Sequence, residues 1–246
     1  NRVLKETGII DRYSGIIGKL GGTGKFNEGL YGSSEMFVDA FMQLYKNGVL
    51  KRKVYDSVPL MKLINAGKLS DRHIPENIIE LLIEIDGIHP QLKEKEFAML
   101  CKYGILKKGL KFKDGFIING TEKFSADFSD SKNISAVKKL LGSTMQNGTI
   151  ICGAFFIGPR AFYNALNEMS EEERMQFGMS SVLKVNQLYG DEELRSLQRK
   201  DGRFVNAGMM VNVLGSVTSD QGEDGRVVSG VGGQYNFVSM AQALPD

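Results

Sequence analysis

From residue 148 onward, short apolar runs alternate with amphipathic segments, and this alternation restricts the chain to a small set of folds. Residues 149–157 form an apolar run of strand length. Residues 159–169 have helical spacing, with Pro159 tolerated in a first turn. Ser170 and Glu173 stand in capping-box register and open another short helix. Residues 182–186 read as a short strand, 192–199 as a helix, 204–214 and 217–219 as strands, and 227–228 as a last short strand. A helix begins after Asn236. Strands alternating with helices predict an α/β fold, a mostly parallel sheet with helices on both faces. No internal repeat interrupts this pattern.

The first part of the chain carries a related but weaker signal. Residues 1–28 are glycine-rich and read as a helix or turn followed by a loop. Ser33 or Ser34 is placed to cap a helix whose apolar stripe is Met36, Phe37, Ala40, Phe41, Leu44 and Tyr45. Asn47-Gly48 ends it, with Gly48 suited to a left-handed position. Residues 60–148 have another character. Helices are expected over 74–85, 91–103 and 134–141, and alternation over 106–118 suits a hairpin around Asp114-Gly115. The chain of 246 residues therefore divides into 1–60 with 148–246, and 61–147 as a helical or mixed insertion or small subdomain.

Composition removes several classes of function. With 31 Lys+Arg against 29 Asp+Glu, the net charge of +2 offers no electrostatic reason for a nucleic-acid partner. No apolar run reaches the roughly 18–20 residues of a membrane span, and no basic start precedes an apolar block. Cys101 and Cys152 are the only cysteines, too few for a disulfide framework, so a reducing, cytoplasmic setting is expected. Together with His73 and His89 they form no zinc-ligand spacing, and no metal is expected. The chain begins with Asn1 and stops at Asp246, which reads as a piece of a longer protein.

Each motif has a structural and a functional reading. Gly-Gly-Thr-Gly-Lys at 21–25 fails as a phosphate loop, because Lys19 stands where the first glycine belongs and Phe26 where Ser or Thr belongs. Glu35, in a helix's first turn, either offsets the macrodipole or serves as a fixed, ionised nucleophile. The turn Ser-Gly-Val-Gly-Gly-Gln-Tyr-Asn-Phe at 229–237 lies between a strand and a helix. It is either a tight connection or a set of free N–H groups for an anion or oxyanion. Tyr235 stands where a dinucleotide fingerprint needs its last glycine. Asn206, in an apolar strand pattern, either locks a loop or faces a site. Cys152 reads as a buried strand residue and the lysines of 102–113 as a solvated face, though one lysine there could meet a phosphate.

With Glu35 and the 229–237 turn in hand, the chain resembles the acetyl-CoA hydrolase/transferase family, which includes 4-hydroxybutyrate and acetate CoA-transferases. Ser34-Glu35-Met36-Phe37-Val38-Asp39 resembles the family's segment with the catalytic glutamate, and residues 228–238 resemble its glycine turn. Arg203 to Asn206, Met209-Met210, and Gly153 to Gly158 before the Pro159 helix also fit. The resemblance covers 1–60 and 148–246, and the middle is similar to the extra segment of longer members. It implies a CoA-transferase-like fold and a C-terminal catalytic domain. It implies an acyl-CoA:carboxylate CoA-transferase or acetyl-CoA hydrolase acting through a glutamyl-CoA thioester on Glu35. Asn206 would orient groups in the site. Gly230, Val231, Gly232, Gly233 and Gln234 would line CoA and the oxyanion. Coenzyme A would be substrate and product, with a short carboxylate such as acetate as acceptor and no metal. The family's second glycine loop, Gly-Ile-Gly or close to it, does not precede Glu35: Gly8-Ile9-Ile10 and Gly15-Ile16-Ile17 do not match. It is expected before residue 1, in an N-terminal domain of the same chain without which this piece would be inactive. The alternative is a catalytically silent acyl-CoA-binding or regulatory module of the same fold, or an interaction module. A homo-oligomer is left open.

Overall fold

The computed structural model describes residues 3–7, 28–186, 189–206, 208–230 and 232–244. Its described strands are β1 (Val3–Thr7), β2 (Tyr31–Phe37), β3 (Lys111–Lys113), β4 (Phe116–Asn119), β5 (Glu122–Ser125), β6 (Ile151–Phe156), β7 (Phe177–Met179), β8 (Gly202–Asn206), β9 (Met210–Val211) and β10 (Val217–Thr218). The chain divides into two compact units, Asn1–Lys53 with Thr149–Asp246, and Val54–Gly148.

The first unit is mixed α/β. Its five-stranded sheet runs β7-β6-β2-β1-β8, and every pairing is parallel. Helices flank the sheet, and β9 and β10 form a separate antiparallel ribbon. β2 lies between β1 and β6, in register Glu6 with Ser34 and Ser34 with Gly153. A parallel strand paired on both sides reads as apolar or small, and Tyr31, Gly32, Ser33 and Ser34 are all buried. Phe37, 1% exposed, closes the strand and anchors the core. Its ring lies 5.7 Å from Phe41, 5.0 Å from Phe156, 5.5 Å from Phe162 and 5.3 Å from Phe177. Phe37→Ala removes the hub of that cluster. It is expected to destabilise the unit by about 3–5 kcal/mol, read as a lowered urea midpoint in far-ultraviolet circular dichroism.

Several sequence expectations are corrected. Ser33 and Ser34 do not cap a helix. They lie inside β2, and the helix is Asp39–Lys46, with Val38 as its N-cap residue. Ser34 Oγ donates instead to Met36 O at 2.8 Å. The helix does end at Gly48, whose φ is +68°. Residues 182–186 are a helix rather than a strand: Ser181 Oγ accepts from Leu183 N at 3.2 Å, and Ser181 O accepts from Val185 N. Residues 204–214 are not one strand. β8 ends at Asn206, and the chain resumes in β9 after leaving the sheet. Residues 227–228 make one isolated bridge, Val227 with Gln221. In β6 the buried end is Ile151, while Phe155 is exposed and Cys152 is half-buried rather than buried. β1 is a strand where a helix or turn was expected. The Gly-Gly-Thr-Gly-Lys stretch lies outside the described residues.

The second unit has helices Val58–Asn65, Ile78–Glu84, Glu94–Lys102 and Ser131–Val137, and the antiparallel sheet β3-β4-β5. Asp114 and Gly115 turn β3 into β4 with φ of +51° and +76°. Two consecutive positive φ values make the mirror-image turn that matches strand twist, as Asp-Gly favours. The lysines of 102–113 are exposed, with Lys102 lying 4.9 Å over the Tyr103 ring. His89 pairs with Glu96, and Lys93 Nζ lies 2.8 Å from His89 Nε2.

Candidate active site

Three segments far apart in sequence meet at the carboxyl end of β2. The first carries Glu35. It is half-buried in β2, just beyond the last pairing with β1. Parallel sheets place ligands at the carboxyl ends of their strands, so Glu35 stands at the productive edge.

The second segment is the helix Val182–Asn186. Its last residue, Asn186, is 2% exposed. Asn186 Nδ2 donates to Glu35 Oε2 at 3.1 Å, across 151 residues of sequence. Its Oδ1 is buried and has no partner among the described residues.

The third segment is the glycine turn. Gly233 is buried and is the N-cap residue of the helix Gln234–Ala243. A Cβ on Gly233 would lie 2.5 Å from Asn186 Nδ2 and 3.2 Å from Glu35 Oε2. Only a residue without a side chain fits there. The carboxylate thus stands at the positive end of a helix dipole. That helix is 198 residues downstream of Glu35 and not its own. Gly232 is exposed with φ +59°, and Gly230 is exposed with nothing near its Cβ position. Val231 lies outside the described residues. Gln234 Nε2 donates to Val217 O at 3.0 Å, and Gln234 Oε1 accepts from Ser219 Oγ. Its side chain therefore pins the helix start to β10.

Asn206 closes β8 in register with Thr7 of β1. Its backbone is two strand spacings from β2, roughly 9–10 Å. Asn186, not singled out in the sequence, holds the place beside Glu35. Its one signal was an amide closing an apolar stretch, which alone does not separate it from any surface asparagine. Tyr45, at the far end of its helix, donates to Glu173 Oε1 at 3.3 Å. Burial first, and then the Glu173 carboxylate, raise its hydroxyl above the usual tyrosine range. The described residues contain no cluster of three or more metal-ligating side chains, and no helix among them is long and apolar enough to cross a membrane.

Residues 158–246 match the family model of the acetyl-CoA hydrolase/transferase C-terminal domain. This stretch is similar to that family's C-terminal domain. No curated protein and no solved structure matches the chain. The matched stretch contains Asn186 and the glycine turn, and Glu35 precedes it. The family supports a CoA-transferase or hydrolase kind of activity.

Proposed function

We propose that the protein transfers coenzyme A between an acyl-CoA and a carboxylate such as acetate, or hydrolyses acyl-CoA, with Glu35 as nucleophile. The observation that carries this reading is the Asn186 Nδ2 bond to Glu35 Oε2, with Gly233 packed against both groups. A nucleophilic carboxylate must be ionised and held in direction. The helix dipole at Gly233 favours the anion, and the amide of Asn186 fixes one of its oxygens.

A Glu35 oxygen adds to the acyl carbonyl, the carbon–sulfur bond breaks, and CoA leaves as thiolate. The mixed anhydride so formed is attacked at the glutamyl carbonyl by the thiolate, which releases the carboxylate product and leaves a glutamyl-CoA thioester. An acceptor carboxylate then repeats the two steps in reverse order and regenerates Glu35. Water in place of the acceptor gives free CoA and net hydrolysis. Each step passes through an oxyanion, for which the N–H groups around Gly232 and Gly233 and the Asn186 amide are the nearby donors. One such donor typically supplies about 2.7–4 kcal/mol.

The test is a mass spectrum of the full-length protein after incubation with acetyl-CoA. The expected result is a CoA-sized addition on the peptide with Glu35, removed by hydroxylamine. CoA binding by calorimetry without any adduct would overturn the covalent mechanism and leave an acyl-CoA-binding module.

A further inference from the structure

We infer that Arg199, with Arg195 beside it, is the residue that positions Asn186 against Glu35. The inference rests on the proposed role of Glu35. The helix that presents Asn186 has five residues, too few to hold its own shape. Its final carbonyls need donors that the helix itself does not supply. Two arginines provide them. Arg195 Nη1 donates to Leu183 O at 3.4 Å, and Arg199 Nη2 donates to Lys184 O at 3.0 Å and to Val185 O at 3.1 Å. Three successive carbonyls leading to Asn186 are thus held by two guanidinium groups.

Both arginines are buried, at 9% and 4% exposure. They stand four residues apart on the segment formed by the helix Glu192–Gln198 and its C-cap, Arg199. Arg199 Nη1 also reaches Met240 Sδ, on the helix that Gly233 opens. Asn186 and Met240 line one small cavity, so Arg199 braces both of its walls. Burial pulls the Arg199 guanidinium down to about 10, which still leaves it charged at neutral pH. A buried cation is costly to keep. Its return here is geometric: Nη2 bonds two adjacent carbonyls while Nη1 of the same planar group reaches Met240, and this fixes the direction of the residue that follows the carbonyls. An ammonium group, with one donor nitrogen, cannot hold the carbonyls and reach Met240 together.

The test uses full-length protein and the variants R199K, N186A and N186A/R199K. R199K is expected to lower kcat for acetyl-CoA by about tenfold or more, with KM within about twofold, since small misplacements near a reacting centre cost rate rather than affinity. The double variant is expected to be no slower than N186A alone, because Arg199 acts through Asn186. The side-chain amide resonances of Asn186 in labelled protein are expected to shift in R199K. Wild-type kcat in R199K, or a double variant that loses the product of the two single losses, overturns the inference. Wild-type protein with neither turnover nor adduct overturns the role of Glu35 instead. In that case the Asn186 resonances still decide: unmoved in R199K, they overturn the positioning role as well.

Discussion

Glu35→Gln is expected to lower turnover of acetyl-CoA by about 10⁴-fold or more, the scale on which removal of a covalent nucleophile acts. The change is isosteric. The amide oxygen can still accept from Asn186 Nδ2, which now donates to Glu35 Oε2 at 3.1 Å. Gly233 has no side chain to clash with the new NH₂ group, and β2 keeps its pairing with β1 and β6. Fold and acyl-CoA binding are therefore expected to survive, with the thermal midpoint within a few degrees of wild type, as for a half-buried surface change. Chemistry is not expected to survive, because a neutral amide oxygen does not add to a thioester at a useful rate. The measurements are thiol release over time and CoA affinity by calorimetry. A variant that turns over at the wild-type rate would remove Glu35 from the mechanism.

β6 and the helices that follow it were legible because they are locally written. The apolar run at β6, the Pro159 N-cap of the helix Arg160–Glu168 and the Ser170–Glu173 box all depend on neighbours in sequence. The errors fall where distant partners decide. Ser33 and Ser34 look like caps because serine suits an N-cap, yet pairing with β1 and β6 makes them strand residues. Phe37 has helical spacing to Phe41 and stacks on it, but it does so from the end of a strand. The end of β9, inside 204–214, had a signal that was missed. Asn212 Oδ1 accepts from Leu214 N and Ser216 N, and Gly215 has φ +86°, a turn that joins β9 to β10.

The site was legible only in pieces. Glu35 and the glycine turn can each be picked out as chemistry-bearing segments, and their physics was partly read. A carboxylate near free helix N–H groups was expected, but the helix assigned was the one following Glu35. The helix that meets it starts at Gly233, 198 residues later. Asn186 was not legible at all. Its importance lies in one hydrogen bond across 151 residues, and no local pattern encodes a contact of that separation. The two buried arginines that hold its helix were hidden for the same reason. In sequence they are ordinary charged residues of an amphipathic segment.

The two glycines of the turn separate packing from backbone conformation. Gly233 has φ −93°, which any residue adopts, so Gly233→Ala carries no backbone strain. Its Cβ, however, would lie 2.5 Å from Asn186 Nδ2, 3.0 Å from Asn186 Cγ and 3.2 Å from Glu35 Oε2. One of these groups must move. Asn186 is buried and braced through its helix by Arg199, so the carboxylate and its bond to Asn186 are displaced together. A misplacement of that size is expected to cost about 10²-fold in kcat. Gly232→Ala is the opposite case. Its Cβ meets nothing within 4 Å, but φ is +59°, where a side chain costs about 1–2 kcal/mol. Gly232→Ala is expected to lower the thermal midpoint and keep most of its turnover, while Gly233→Ala loses turnover far out of proportion to its change in midpoint. Measured side by side, kcat and thermal midpoint would distinguish the two. If Gly233→Ala turned over at the wild-type rate, the closeness of Gly233 to Glu35 would have no part in catalysis, and the turn would be a connection between a loop and a helix.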